Sequence, residues 1–132
     1  MEKGIQCYMS KYLLLALMGA LPFASQNDVA RYVLRKHDSG NPYVVFFCKG
    51  ADNEKVKEEL YYPNGQLENV GHFLNGLEHG EWIYYWPNGE VMSFEYYEKG
   101  KEEGLHYECN EKGKRIRETE WKRGVLVAQR DI

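Results

Sequence analysis

Three glycines, Gly65, Gly89 and Gly113, stand 24 residues apart, and Gly76, Gly100 and Gly124 keep the same interval. Gly80 and Gly104 repeat it once more. Laying residues 61–84 on 85–108 also matches Tyr61 with Tyr85, Pro63 with Pro87, Asn64 with Asn88 and Glu78 with Glu102. Phe73, Tyr97 and Trp121 form a conservative series in the same phase. A repeat this short cannot bury an apolar face alone. Its units must stack, and each unit contacts mainly its neighbours.

The residues inside one unit indicate β-hairpins. Asn64-Gly65 and Asn88-Gly89 sit between aromatic-rich runs, and Asn-Gly is the preferred pair for a two-residue type I′ turn. Lys112-Gly113 is a weaker form of the same turn. A second, longer loop is expected over 75–80 and 99–104, with Gly76, Gly80, Gly100 and Gly104 supplying positive-φ positions. The implied strands are 66–74, 81–86, 90–98 and 105–109, with 114–122 closing the series. The fold class that follows is all-β: an antiparallel meander of hairpins forming one elongated, twisted sheet.

Side chains alternate across a strand, and the period of 24 is even, so equivalent positions fall on one face. Pairing across Asn88-Gly89 places Trp82, Tyr84 and Trp86 on one face. Ile83, Tyr85, Met92, Phe94 and Tyr96 fall on the other. A solvated antiparallel sheet normally shows one polar face. Two apolar faces mean either that something covers one of them or that one is a binding surface. Trp82, Tyr84, Trp86, Phe94 and Tyr96 are the candidate surface residues, with packing against an N-terminal hairpin or a dimer mate as the competing role.

Upstream, residues 13–23 (LLLALMGALPF) form an apolar run preceded by Lys11. It is too short for a membrane helix, which needs about 20 apolar residues. A basic start followed by such a run suits a secretory leader over 1–25, although small residues at the cleavage point are poorly placed. The chain then divides into 26–56, read as an N-terminal hairpin region, and 57–132, the repeats. Within 26–56, the apolar runs 29–36 and 43–48 flank the turn cluster Asp38-Ser39-Gly40-Asn41-Pro42. A strand is favoured for 29–36 over a short helix capped by Asn27 or Asp28. With the leader removed, Cys48 and Cys109 remain. They could pair if their Cα atoms approach within about 7 Å; two separate buried thiols are the alternative.

The runs YYPNGQLENVGHFLNGLEHGEWIYYWPNGEV and NGEVMSFEYYEKGKEEGLHYE resemble the MORN-repeat variant family, which includes the bacterial YwqK-type proteins labelled antitoxins. The resemblance rests on Tyr61, Tyr62, Asn64, Gly65, Leu67, Phe73, Gly76, Gly80, Trp82 and Tyr85. A second copy runs from Tyr85 to Gly104 but has His106 where tryptophan is expected. A third copy keeps only Gly113, Trp121 and Gly124. The resemblance covers roughly 57–125 and implies a single sheet of hairpins that binds protein.

Residues that could carry chemistry are sparse. His37, His72, His79 and His106 show no metal-ligand spacing, and neither a HExxH motif nor paired CxxC motifs occur. His79 in a loop and His106 on a strand read as solvated or edge histidines. Adjacent carboxylates such as Glu58-Glu59 point to opposite faces of a strand and cannot act together. No glycine precedes a helix, so no phosphate loop is present. The formal net charge of −3 argues against a nucleic-acid partner. The expectation is a non-enzymatic protein with no cofactor and no metal, exported to the periplasm or secreted, with no membrane span once the leader is gone. It would bind a protein partner in antitoxin or immunity fashion, or form a homodimer. The alternative is a carbohydrate- or cell-wall-binding module using the Trp82, Tyr84 and Trp86 strip.

Overall fold

The computed structural model describes residues 29–50 and 52–132. Strands β1 (Val29–Lys36), β2 (Pro42–Lys49), β3 (Glu54–Tyr61), β4 (Leu67–Leu74) and β5 (Leu77–Tyr85) lead into β6 (Val91–Glu98). They are followed by β7 (Lys101–Glu102), β8 (Gly104–Cys109), β9 (Arg115–Lys122) and β10 (Val125–Asp131). All join one antiparallel sheet in the order β1-β2-β3-β4-β5-β6-β8-β9-β10, and the two-residue β7 pairs with β6. The expected all-β meander is therefore the fold. Residues 29–49 form the expected hairpin, continuous with the repeats. The series does not close at Lys122, because β10 adds a further strand. The apolar run 13–23 and the leader reading lie outside the described residues. Among the described residues, no helix is long and apolar enough to cross a membrane.

The two turn types are exchanged relative to the sequence expectation. At Asn64-Gly65 only the glycine has positive φ, +85°. Gly65 N–H donates to the Tyr62 carbonyl and Tyr62 N–H to the Gln66 carbonyl, at 2.8 and 2.9 Å. This is a three-residue loop, a type I turn followed by a left-handed glycine. Pro63 explains it, because proline fixes a negative φ and favours the second position of a type I turn. Gly89 and Gly113 repeat the same hydrogen bonds, and so does Gly40 with His37. The tight type I′ turns are instead Asn75-Gly76, Lys99-Gly100 and Arg123-Gly124, where both residues have positive φ.

Gly80 and Gly104, expected in loops, lie on the strands. Phe73 pairs with Glu78 and Gly71 with Trp82, so β5 carries two more residues than β4 over that interval. Around Gly104 the surplus is the same: Tyr97 pairs with Glu102 and Phe94 with Tyr107. Gly80 and Gly104 have φ of +84° and +76°, values that glycine adopts without steric cost. The equivalent residues in the outer units are Val56 and Ala128, and there the bulge has a single extra residue. One extra residue reverses the faces; two preserve them. Thr119 therefore meets Gln129, whereas an unbroken 24-residue frame would have set it against Arg130.

Neighbouring hairpins are stitched along both margins. Asn41, Asn64 and Asn88 donate from Nδ2 to the carbonyls of Pro63, Pro87 and Glu111 at 2.8–3.3 Å. Beside them, His37 Nε2 meets the Tyr61 carbonyl, Tyr62 Oη the Tyr85 carbonyl and Trp86 Nε1 the Cys109 carbonyl. On the opposite margin, Gly100 and Gly124 donate to the carbonyls of Glu78 and Glu102. Asn75 and Arg123 donate their backbone N–H to the carboxylates of Glu54 and Glu103.

Cys48 and Cys109 do not pair. They lie on β2 and β8, five strand spacings apart, or about 24 Å at ~4.8 Å per step. Cys109 keeps a free, buried thiol.

Lys99 and Arg123 occupy left-handed positions, which cost a residue bearing a Cβ about 1 kcal/mol. Lys99→Asn and Arg123→Asn should each raise unfolding stability by roughly 0.5–1 kcal/mol. Gly80→Ala should lower it by about 1 kcal/mol or more. Urea unfolding followed by circular dichroism measures both.

Candidate binding face

Alternation along the strands gives the sheet two faces of different character. One carries a continuous row of rings. Phe73 meets Trp82 edge-on at 5.2 Å between centroids, and Trp82 meets Tyr97 at 6.0 Å. Tyr97 then lies 6.2 Å from His106, and His106 lies 5.9 Å from Trp121. At the other end Lys55 Nζ sits 3.8 Å over the Phe73 ring and 4.5 Å over the Phe46 ring, with Glu58 at 3.3 Å. The row therefore crosses the sheet from β2 to β9. It alternates between two repeat positions: 73, 97 and 121, then 82 and 106.

The row is possible because Gly71 leaves room for it. A Cβ at residue 71 would stand 2.4 Å from the Trp82 indole. The ring lies flat on that bare backbone and is only 9% exposed. Its Nε1 donates to the His72 carbonyl at 3.2 Å. His106 occupies the same slot one unit later, and its Nε2 stands 3.1 Å from the equivalent Tyr96 carbonyl. His106 is 6% exposed, so it is a packed ring and not a solvated or edge histidine. Polar rings in the row find their partners two residues back: Tyr97 Oη donates to Glu95 at 2.9 Å, and Trp121 Nε1 to Thr119 Oγ1 at 3.0 Å.

Tyr84 lies beside this row, paired with Asn69 and Ser93. Burial, reinforced by the charges of Glu95, Glu78 and Glu58, pushes its hydroxyl up to about 12. Burial and the hydrogen bond to Glu95 raise Tyr97 as well. Where the row ends, a cavity of about 250 Å³ opens between β6, β8, β9 and β10. Its lining includes Glu95, Glu102, His106, Glu108, Arg117 and Trp121. Arg117 bridges Glu108 and Asp131 there.

The reverse face is more open. Phe94 stacks on Tyr107 at 5.3 Å with planes 9° apart, and the Arg115 guanidinium caps Tyr107 at 3.9 Å. Tyr96 is 38% exposed and Leu105 52% exposed on the same side. Lys57 lies over Phe47 and pairs with Glu59 at 2.6 Å. Burial opposes ionisation of Glu59, but hydrogen bonds from Lys57 and Tyr61 outweigh it and hold the carboxyl below its usual range.

The five candidate surface residues are thus divided. Trp82 is buried in the ring row and Tyr84 is half-buried beside it. Trp86 is half-buried and stitches one hairpin to the next through Cys109. Phe94 and Tyr96 belong to the reverse face, and Tyr96 is the most accessible of the five. Asn64, Gly65, Asn88 and Gly89 are turn residues, though of a different turn from the one expected. Each histidine meets a hydrogen-bonding partner: His37 and His72 a backbone carbonyl, His79 the Lys99 N–H, and His106 the Tyr96 backbone. Among the described residues, no group of three His, Cys, Asp or Glu side chains could hold a metal ion.

No known family profile matches this chain, and no curated protein does. Among solved structures, it is similar to a chain of the glycosylation-associated protein (Gap123) complex from Streptococcus agalactiae, at 18% identity with a TM-score of 0.45. The match covers 92% of this chain and 21% of that one, so the present chain spans about a fifth of its length.

Two outcomes test the ring row. Gly71→Ala forces the Trp82 indole off the backbone and should cost about 1–3 kcal/mol, read as a lower thermal midpoint. The second concerns pH. Tyr84 is still protonated in the fold when unfolded tyrosines ionise near pH 10. The folded state then holds the extra proton, so the stability from Tyr84 is full below about pH 10 and lost as pH rises to about 12. Tyr84→Phe should flatten that loss in pH-dependent unfolding curves.

Proposed function

We propose that this protein is a non-enzymatic, protein-binding repeat sheet of the MORN-variant kind. The observation that carries the reading is the accessible aromatic patch on the reverse face: Tyr96 and the stacked Phe94–Tyr107 pair, flanked by Leu105 and Arg115. Aromatic and arginine anchors inside a charged surround are the composition that protein interfaces concentrate. Glu118 and Arg130 supply the charged surround on the same face, and they pair with each other. The ring row on the opposite face holds the sheet together and leaves the patch free to engage a partner.

A non-enzymatic role fits how the titratable groups are used. The histidines hold backbone groups, and the Cys109 thiol is 5% exposed. A carbohydrate module would need open stacking platforms on the Trp82 side, yet the Trp82 indole lies under its neighbours and Trp86 serves as a stitch. Export, with an antitoxin- or immunity-like role, is part of the proposal and rests on the apolar run 13–23 and on the family resemblance.

The test is affinity capture from envelope and secreted fractions of the source cells, using wild type and Tyr96→Asp as baits. A specific protein retained by wild type and lost with Tyr96→Asp, while the variant keeps its circular dichroism spectrum, supports the reading. Capture that Tyr96→Asp leaves unchanged places recognition elsewhere, and retention only on peptidoglycan or glycans favours the carbohydrate module.

A further inference from the structure

The two margins of the sheet differ in a way that singles out β10. Among the described residues, every hydrogen bond and ion pair of β10 runs back to β9. It is the last strand of the path, so its outer row of backbone donors and acceptors has no strand beside it. All seven of its residues are exposed, including Val125 at 62% and Val127 at 52%. Proteins usually blunt such an edge with lysine, proline or inward charge. The opposite edge follows that rule, since β1 carries Arg31, Arg35 and Lys36. β10 has only Arg130 and Asp131, which cancel and are already held by Glu118 and Arg117.

From this we infer that β10 is a dimerisation strand that pairs antiparallel with β10 of a second copy. The repeat defines what belongs there. β10 follows β9 as β5 follows β4, and β5 has β6, an antiparallel strand, on its outer side. Strand direction then selects the copy's orientation. Eight antiparallel steps separate β1 from β10, so the two edge strands run the same way. A translated copy would set β1 beside β10 as a parallel pair, in a sheet where every other pairing is antiparallel. A two-fold axis normal to the sheet sets β10 against β10 antiparallel and keeps both ring rows on one side. Such an interface is self-complementary and closes at two subunits.

Charge agrees with this choice. With the axis near Ala128, Val125, Leu126 and Val127 of one copy face Asp131, Arg130 and Gln129 of the other, and no like charges oppose. Pairing β1 with β1 would gather Arg31, Arg35 and Lys36 of both copies along one seam with no acidic residue in either strand. The inference does not depend on the heterologous partner proposed above, because Tyr96 and the Phe94–Tyr107 pair lie on β6 and β8, away from the β10 edge.

Light scattering of the full chain after gel filtration tests it. The expected mass is twice the 15.5 kDa of one chain. Val127→Lys should give single-chain mass with an unchanged circular dichroism spectrum, whereas Val33→Lys on the β1 edge should leave the dimer intact. Ala128→Cys should yield a disulfide-linked dimer on mild oxidation. Wild type at single-chain mass overturns the inference, as does a dimer that survives Val127→Lys. An open series of higher masses indicates head-to-tail stacking and overturns it too. Tyr96→Asp should leave the dimer unchanged, so the two proposals can fail separately.

Discussion

The whole sheet depends on one close approach, the Trp82 indole lying on the backbone of Gly71. Among the described residues the sheet is one layer, so its rings cover one another. Each edge-to-face or tilted contact adds about 0.5–1.5 kcal/mol beyond the area it buries. A row running from Phe46 to Trp121 multiplies that gain across the strands. The row stays continuous only while successive strands keep the same face in register. Gly71 admits the largest ring at the centre of the row. The double bulges at Gly80 and Gly104 then return Trp82 and His106 to the same face as Phe73 and Tyr97.

The margins complete what the row begins. Each turn leaves backbone groups that a solitary hairpin would present to water. Here they meet the next hairpin through Asn64, Asn88, Tyr62 and Trp86 on one side and through Glu54 and Glu103 on the other. The asparagine bonds recur at the repeat interval because Asn64 and Asn88 recur. Most are modest individually, about 1 kcal/mol net. Together they fix the spacing of hairpins that the ring row alone would let slide.

Much of this was legible in the chain. The glycine phase marked the hairpins, their order and the sheet class, and Phe73, Tyr97 and Trp121 already stood out as one series. Three features were not legible, each for a local reason. The Asn-Gly dipeptide suggested a two-residue turn, but Pro63 and Pro87 fix a negative φ just before it and lengthen the loop. His106 stood in the tryptophan slot of the repeat, but its burial was not legible because it depends on the Tyr97 and Trp121 rings of the neighbouring strands. The decay of the repeat before residue 57 was a frame effect. Gly40 is a full member of the turn series, displaced by one residue because the Gly50–Asn53 loop is two residues longer and the bulge at Val56 one residue shorter than their counterparts at Asn75 and Gly80.

The same bulge rule explains why the end of the sheet differs from its middle. With Ala128 in place of a glycine, β10 takes one extra residue where β5 and β8 take two. Beyond the bulge its faces are reversed relative to the repeat. Gln129 therefore extends the ring-row face, and Arg130 turns to the reverse face, where Glu118 holds it. An unbroken repeat would have presented Arg130 at the slot that Trp82 and His106 fill, with nothing beyond to cover it. The slip exchanges that charge for a neutral amide on the ring-row face and leaves β10 without free charge along its edge. Among the described residues β10 is an edge of the sheet, and its two charges are held inward by Glu118 and Arg117 and do not guard that edge.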